Sequence, residues 1–498
     1  MDLIAGLANV LAPVNLFYCF LGAVFGTLVG VLPGLGPAST LAILLPITMY
    51  LDKTGSIIML AGIYYGAQYG GSTTSILVNI PGEVSSVPTC FDGYPMTKDG
   101  RAGQALFIAA VGSFIAGTAG ALLVTLIGPG LARYAFRFGP PEYGALVFFS
   151  LTAVVSLSGS GISILRGLAA GLIGMLLACV GVDPTAGTPR LYFGFPGLMR
   201  GLEIIPVTIG LFGIGEILGS AEAGMGKIYE GVLGKMIPRW QELRKGLFAS
   251  LRGTLVGLPL GMLPGFVPAI SSFIAYDLEK RISKYPEKFG SGVIEGVAGP
   301  EAANNATAQT GFIPLMAFGI PTSASTAIIL AALMIYGLQP GPVLFESNKL
   351  FIWSVIASMY IGNLMLLVLN LPLVGLWARI SQIPYKYLAP VILGVCLIGA
   401  YSPRNSMFDV WVAIVCGVAG YVMKREKWPM GPLILGFLLG PMLEVSLHQS
   451  LNMGGFMIFL RRPIAASLLA LSIAVLGISV FYMSRVPEEV VVEHDTGD

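Results

Sequence analysis

"GTLVGLPLGMLPGFVPAISSFIAY", Gly253 to Tyr276, decides how this chain threads. The segment is apolar and long enough to cross a bilayer, yet it holds Pro259, Pro264 and Pro268. Lys227, Lys235, Arg239, Arg244, Lys245 and Arg252 precede it, and Lys280, Arg281, Lys284 and Lys288 follow. Basic residues mark the cytoplasmic ends of membrane segments, so both flanks read as cytoplasmic. One straight span cannot return to its own side. A re-entrant hairpin of two half-helices, turning at Leu263-Pro264-Gly265, satisfies both flanks. The alternative is one kinked span with an unusual charge distribution.

Working outward, the composition is that of a membrane protein. The chain has 498 residues, 55% hydrophobic and 11% charged, with a mean hydropathy of +0.81. Soluble domains carry about 25% charged residues. Apolar runs recur along the length, giving about 10–13 membrane segments and an all-α polytopic fold. Short runs such as 143–158 and 387–401 are marginal spans. The 66 glycines and 33 prolines exceed soluble usage and point to interrupted helices, or to close helix packing through small residues. A net charge of +2 gives no reason to expect nucleic acid. Cys19, Cys90, Cys179, Cys396 and Cys416 are scattered, with no framework for disulfides or a metal. The start "MDLIAGLANVLAP" has no basic residues before its apolar stretch, so it is expected to be retained.

The opening segment has a partner. "GTLVGVLPGLGPA" (Gly26–Ala38) shares "GTLVG" with Gly253–Gly257, and its "LPGLGPA" aligns with "LPGFVPA" at Leu263–Ala269. At similar distances downstream, "NIPGEVSSV" (Asn79–Val87) matches "GIPTSASTA" (Gly319–Ala327). Ordered matches of this kind read as an internal duplication. An odd number of apolar runs separates the two hairpins, so the copies are expected to be inverted across the membrane. The expected organisation is a first repeat over 1–225, with its hairpin near 26–40 and a polar stretch at 65–87. A basic cytoplasmic linker follows at 226–252. The second repeat spans 253–484, with its hairpin near 253–276 and a polar stretch at 299–325. A disordered tail covers 485–498.

Inverted repeats with broken helices build the sites of many secondary transporters. A half-helix ending inside the membrane presents N–H groups with positive partial charge, which suit carboxylates. Unwound carbonyls suit Na⁺. On this logic the substrate-binding candidates are Pro33, Gly34 and Gly36 in the first turn, and Pro264 and Gly265 in the second. The first polar stretch adds Ser72, Thr73, Thr74, Asn79, Pro81 and Gly82. The second adds Asn304, Asn305, Pro321, Thr322 and Ser323. Any one hydroxyl here could equally serve helix packing. Glu301 and Thr307 are ion-coupling candidates, with Na⁺ the one metal ion this reading admits. Glu301, following Gly299-Pro300, is also expected at a helix start, where the dipole favours it. Glu295, Glu216, Asp183 and Glu444 lie in or beside apolar runs and read as salt-bridge or capping groups. No GxxxxGK[ST] loop is present, and His448 and His494 lack a catalytic motif, so neither ATP hydrolysis nor another enzyme activity is expected. "SGSGIS" (Ser158–Ser163) reads as a turn.

At these residues the chain resembles the large, TctA-type membrane subunit of bacterial tripartite tricarboxylate transporters. The resemblance covers nearly the whole chain. "YGGSTTSILVNIPGEVSSVPTCFDGYPMTKDGRAGQAL" (Tyr69–Leu106) and "EGVAGPEAANNATAQTGFIPLMAFGIPTSAS" (Glu295–Ser325) carry it, supported by "GVDPTAGTPRLYFG" (Gly181–Gly194) and "LGFLLGPMLEVSLHQSL" (Leu435–Leu451). It implies a multi-pass protein of the bacterial inner membrane that works with a small four-span membrane subunit. A periplasmic substrate-binding protein would deliver a tricarboxylate or related organic acid. A Na⁺ or H⁺ gradient would drive uptake, with no cofactor. Elevator-like movement of one bundle against a scaffold is similar to what related tripartite systems use. The chain departs from the family at Thr322, where glycine is usual after "GIP", so the ligand need not be citrate. It also reads "VSLHQS" after "GPMLE", where relatives often end a charged run in Arg, which calls a Glu444–Arg pairing into question. A passive channel and a membrane scaffold without transport remain the alternatives.

Overall fold

The computed structural model describes residues 2–32, 36–156, 162–223, 234–265, 267–380 and 385–483. The chain is built of helices: α1 (Asp2–Val10), α2 (Pro13–Val31), α3 (Pro37–Thr48), α4 (Lys53–Val78), α5 (Val87–Lys98) and α6 (Ala102–Ala135). Next come α7 (Pro140–Ser156), α8 (Ile162–Ala178), the strands β1 (Gly181–Val182) and β2 (Pro189–Arg190), α9 (Pro196–Met199), α10 (Ile204–Thr208) and α11 (Gly215–Ala223). The second half holds α12 (Trp240–Gly261), α13 (Pro268–Ile282), α14 (Glu295–Thr310), α15 (Phe312–Phe318), α16 (Ala324–Ile335), α17 (Pro342–Ser347) and α18 (Lys349–Asn370). The chain continues through α19 (Val374–Ile380), α20 (Tyr385–Tyr401), α21 (Met407–Arg425), α22 (Met430–Gly454), α23 (Met457–Arg461) and α24 (Pro463–Met483). Among the described residues, α2, α6, α18, α21 and α22 are long and apolar enough to cross a membrane. The protein is an all-α polytopic membrane protein.

The helices divide into two compact units. One holds the chain up to Ala135 together with Ile205–Tyr421, and the other holds Phe136–Ile204 and the chain from Val422 onward. The larger unit contains the duplicated segments. In each copy the first of two consecutive helices packs along a third: α2 on α4, and α12 on α14. The shared "GTLVG" explains both contacts. A Cβ at Gly30 would overlap the Ala67 carbonyl, and one at the equivalent Gly257 would overlap the Ala303 carbonyl. Both helix pairs approach so closely that only glycine fits.

The second hairpin is longer than its apolar core. The α12 helix starts at Trp240, inside the stretch read as a basic linker, and α13 runs to Ile282. Gly246, Ala249, Ser250, Gly253 and Gly257 form one small, buried face, so the helical period carries through the basic residues. The turn lies at Met262–Val267, where Gly265 takes φ 87° and Pro268 opens α13. In the first copy Pro37 opens α3 in the same way. Asp52 caps α4 by accepting from the Thr54 and Gly55 amides, each at 3.0 Å.

Both copies then break a helix in the same manner. The α4 helix ends at Asn79 in the left-handed conformation, φ 59° and ψ 30°, and α15 ends at Gly319, φ 70° and ψ 28°. Each closes with a bond from the next amide back six residues: Ile80 to the Thr74 carbonyl at 3.4 Å, and Ile320 to the Pro314 carbonyl at 3.2 Å. Proline follows in each, at Pro81 and Pro321, and the chain turns extended at Glu83 (φ −151°, ψ 167°) and Ser323 (φ −149°, ψ 169°). A reciprocal capping box restarts each helix, Glu83 with Ser86 and Ser323 with Thr326.

In the smaller unit, α7 and α8 pack on α22, and α7 packs on α24. Glu142 accepts from the Gly139 amide at 2.9 Å and pairs with Arg462 at 3.7 Å. The β1–β2 hairpin is pinned through Arg190, whose guanidinium forks onto Glu444 and reaches Asp183 at 3.0 Å. Glu444 therefore has its arginine. It comes from β2 rather than from the residues after "GPMLE", a pairing that sequence distance concealed. The Ala186 and Thr185 amides hold the Asp183 carboxyl below its ordinary range, with Arg190 adding to the effect. Of the expected features, Ser158–Gly161, residues 226–233 and the tail from 485 lie outside the described residues.

Candidate functional site

The two helix breaks make the candidate site. Each places one helix C-terminus and one helix N-terminus at the same point, which brings backbone partial charges of both signs together. Tyr64, fully buried in α4, sends its hydroxyl toward Ser323 at the second break. Thr322 lies against Gly311, the joint between α14 and α15.

Around the breaks runs a polar cluster. Glu301, wholly buried in α14, accepts from Thr89 of α5 and from Asn304 at 3.3 Å, while nearby Ser72 of α4 donates to the Tyr69 carbonyl at 2.7 Å. Glu83 accepts from Ser85 and lies against Gln68. Asn305 donates to Ser113 of α6 at 2.8 Å, to the Glu301 carbonyl at 3.0 Å and to Asn304 at 2.6 Å. The cluster thus joins α4, α5, α6 and α14. It is rich in hydroxyls and amides, which can bind an anion and release it again. Among the described residues no cation is hydrogen-bonded to either carboxylate.

The expected residues divide into groups. Asn79, Pro81 and Gly82 form the first break, with the Gly82 amide on the Gly71 carbonyl at 3.4 Å. Pro321, Thr322 and Ser323 form the second, where the Thr322 and Ser323 amides both point at the Thr326 hydroxyl, 3.0 and 2.8 Å away. Ser72, Glu301, Asn304 and Asn305 belong to the cluster. Thr73 is buried in α4, and Thr74 supplies the carbonyl that closes the first break. Thr307 donates to the Gly257 carbonyl at 3.1 Å, across the α12–α14 contact. Gly36 and Gly265 bond locally, to the Thr40 and Val267 amides, and Pro264 lies in the same turn as Gly265. Pro33 and Gly34 lie outside the described residues.

One placement needs correction. Glu301 does not start a helix, because α14 begins at Glu295 and carries Pro300 inside it. Asp92 organises that earlier start, accepting the Gly290, Gly292 and Val293 amides at 3.0, 2.9 and 2.8 Å just ahead of the helix. Sequence reading also passed over Glu83, Gln68, Tyr64, Ser85 and Thr89. The signal for Glu83 was present: the matched "IPGEVSS" and "IPTSAST" set it opposite Ser323, the cap of α16. A cleft of about 450 Å³ opens elsewhere, beside Lys245, Arg252, Glu279 and Lys284. Its Arg252–Glu279 pair, 2.6 Å apart, ties α12 to α13, and no break residue lines it.

A protein in the TAR-I ttuC' 3' region of Agrobacterium vitis, described as an uncharacterized 52.8 kDa protein, is 46% identical over 508 residues, covering 99% of this chain and 100% of the relative. A second, in the TAR-II ttuC' 3' region of the same organism, is 49% identical over 219 residues, covering 44% of this chain and 90% of the relative. No solved structure matches the chain. Residues 16–435 match the tripartite tricarboxylate transporter TctA family, and the chain belongs to that family.

Proposed function

We propose that this chain is the translocating subunit of a secondary carboxylate importer of the bacterial inner membrane. A periplasmic binding protein delivers a tricarboxylate or related acid, a small four-span subunit completes the membrane assembly, and a Na⁺ or H⁺ gradient drives uptake. The observation that carries this reading is the pair of equivalent helix breaks. Helix N-termini at Glu83 and Ser323 suit the carboxylates of the substrate, while the C-termini at Asn79 and Gly319 suit a cation. The repeated hairpin, break and capping box support an inverted duplication, with the breaks near mid-membrane. The proposed binding residues are those of the two breaks with Ser72, Asn304 and Asn305.

Uptake of a labelled tricarboxylate by cells expressing this chain with its companion subunits tests the proposal. Accumulation above the external concentration, abolished when ion gradients are collapsed, is expected. Equilibration without accumulation would favour a passive channel. Asn305→Ala is expected to reduce uptake more than membrane abundance, and equal loss of both would make Asn305 a folding residue.

A further inference from the structure

Away from the two breaks, α12, α13 and α14 meet around one ion pair. A Cβ at Gly253 of α12 would overlap the Gly299 carbonyl of α14, and one at Gly299 would press on the Glu279 side chain of α13. Arg252, next to Gly253, forks onto Glu279 through bonds of 2.7 and 2.6 Å. The cleft of about 450 Å³ opens outward from this pair, toward the basic flanks of the hairpin. Lys245 lines it from α12, two turns before Arg252 on the same face. Lys284 lines it just past the end of α13, and Glu295 from the start of α14, one turn ahead of Gly299. Arg252 and Glu279 neutralise each other. Among the described residues, the side chains of Lys245, Lys284 and Glu295 make no hydrogen bond or ion pair. The free charges of the cleft are therefore two ammonium groups and one carboxylate.

The surface beside the cleft is made for lipid. Phe248, Leu251 and Leu255 form the neighbouring face of α12, and all three are exposed. Ile282 of α13 lines the cleft and is exposed as well. Trp240 stands exposed at the start of α12, where aromatic rings mark a membrane–water interface. The basic residues on both flanks make this end cytoplasmic. Basic pockets between helices on that side suit phospholipid headgroups. A purely anionic headgroup would answer the lysines but would lie beside the Glu295 carboxylate. A headgroup that joins a phosphate to a primary ammonium engages all three free charges.

We propose that this cleft binds the headgroup of an aminophospholipid, of which phosphatidylethanolamine is the simplest. Lys245 and Lys284 donate to its phosphate, and Glu295 accepts from its ammonium. The acyl chains lie along Phe248, Leu251 and Leu255. Arg252 and Glu279 stay paired at the floor of the cleft. The bound lipid thereby ties α12, α13 and α14 together at their cytoplasmic ends. The assignment does not depend on the transport reading.

Native mass spectrometry of the full-length chain tests this, with the protein released from membranes of equal parts phosphatidylethanolamine, phosphatidylglycerol and phosphatidylcholine of matched acyl chains. Phosphatidylethanolamine should be retained in about tenfold excess over either competitor, the effect of one charge-assisted bond. Phosphatidylcholine keeps the charge but has no ammonium proton to donate, and phosphatidylglycerol has no ammonium. Lys245→Ala combined with Lys284→Ala should lose the retained lipid. Both lysines are exposed and unpaired, so the fold should survive their loss. Lys280→Ala, exposed on α13 outside the cleft, should keep the lipid. Glu295→Gln should still hold phospholipid and lose the preference for phosphatidylethanolamine. Equal retention of the three lipids, or undiminished retention in the double lysine variant, would overturn the proposal. So would an unchanged preference in Glu295→Gln. Glycerophosphoethanolamine binding as tightly without acyl chains would assign the cleft to a soluble phosphate ester, and loss of the lipid on adding companion subunits would assign it to a protein contact; either result overturns the lipid site.

Discussion

Asp92→Ala should release the loop ahead of α14 while leaving the rest of the protein folded. Asp92 is fully buried, and four donors converge on it. Its Oδ1 takes the amides of Gly290, Gly292 and Val293, and its Oδ2 takes the Tyr276 hydroxyl at 2.9 Å. Gly290 is exposed, so water can replace Asp92 there, but Gly292 is buried and Val293 half-buried. Two charge-assisted bonds lost without replacement, at roughly 1.5–3 kcal/mol each, come to about 3–6 kcal/mol. At about 1.4 kcal/mol per decade, the midpoint of about 4.5 kcal/mol raises the open population about two-thousandfold. Asp92→Asn keeps the Oδ1 acceptor and loses only the charge assistance, about 1–2 kcal/mol and about a tenfold change. Lys288, in the short turn Pro286–Lys288, offers a trypsin site inside the loop. The rate of cleavage there, in detergent-solubilised protein, measures the opening when reclosing outpaces cutting. Cleavage of Asp92→Ala within about threefold of the unsubstituted protein would refute the reasoning. Equal sensitivity of Asp92→Asn would show that the charge matters and the acceptor geometry does not.

Gly30→Ala and Gly257→Ala each force a methyl group into a neighbouring helix backbone, so each should cost about 1–3 kcal/mol and lower the melting temperature of the solubilised protein. Gly36→Ala, with no atom within 4 Å and an ordinary φ of −70°, should leave it unchanged. At the breaks, Gly319→Ala should cost about 1 kcal/mol for its left-handed backbone, whereas Asn79→Gly should be tolerated; the same melting assay compares them. Arg190→Ala should loosen the β1–β2 hairpin, seen as faster hydrogen exchange over residues 181–190. Because the Asp183 carboxyl titrates below its ordinary 3.8, its turn is fully stabilising at neutral pH. That contribution should be lost as the pH falls through the depressed value, read as lost protection of the Thr185 and Ala186 amides relative to unstructured peptides.

Much of this architecture was legible in the sequence because backbone geometry dictates residue type. Proline after a left-handed residue, and glycine at a helix contact, mark the breaks and hairpins whatever surrounds them. The matched "GTLVG" and "IPGEVSS/IPTSAST" strings therefore located equivalent structures. Side-chain partnerships were not legible, because they join residues far apart in the chain. Arg190 lies 254 positions from Glu444, and Thr89 lies 212 from Glu301. Glu301 stands out as the carboxylate in a conspicuous stretch, while Glu83 is absent from the sequence candidates. The start of α12 was hidden for a different reason. Its basic residues resemble a linker in composition, and only the spacing of Gly246, Ala249, Ser250 and Gly253 reveals a buried helical face.

The two copies also exchange their post-break helices, which bears on how the protein is made. The α5 helix of the first copy holds the loop before α14 through Asp92, and α16 of the second packs on α3 and α4. Tyr336, just past α16, bonds the Thr48 carbonyl and lies 2.7 Å from the Ser56 hydroxyl. During synthesis the first copy therefore emerges with Ser56 already on the Thr48 carbonyl at 2.8 Å, and Tyr336 joins that pair only after the second copy has been made. A stop codon between the copies therefore leaves a first copy without the helix that packs on α3 and α4, rather than half of a working protein.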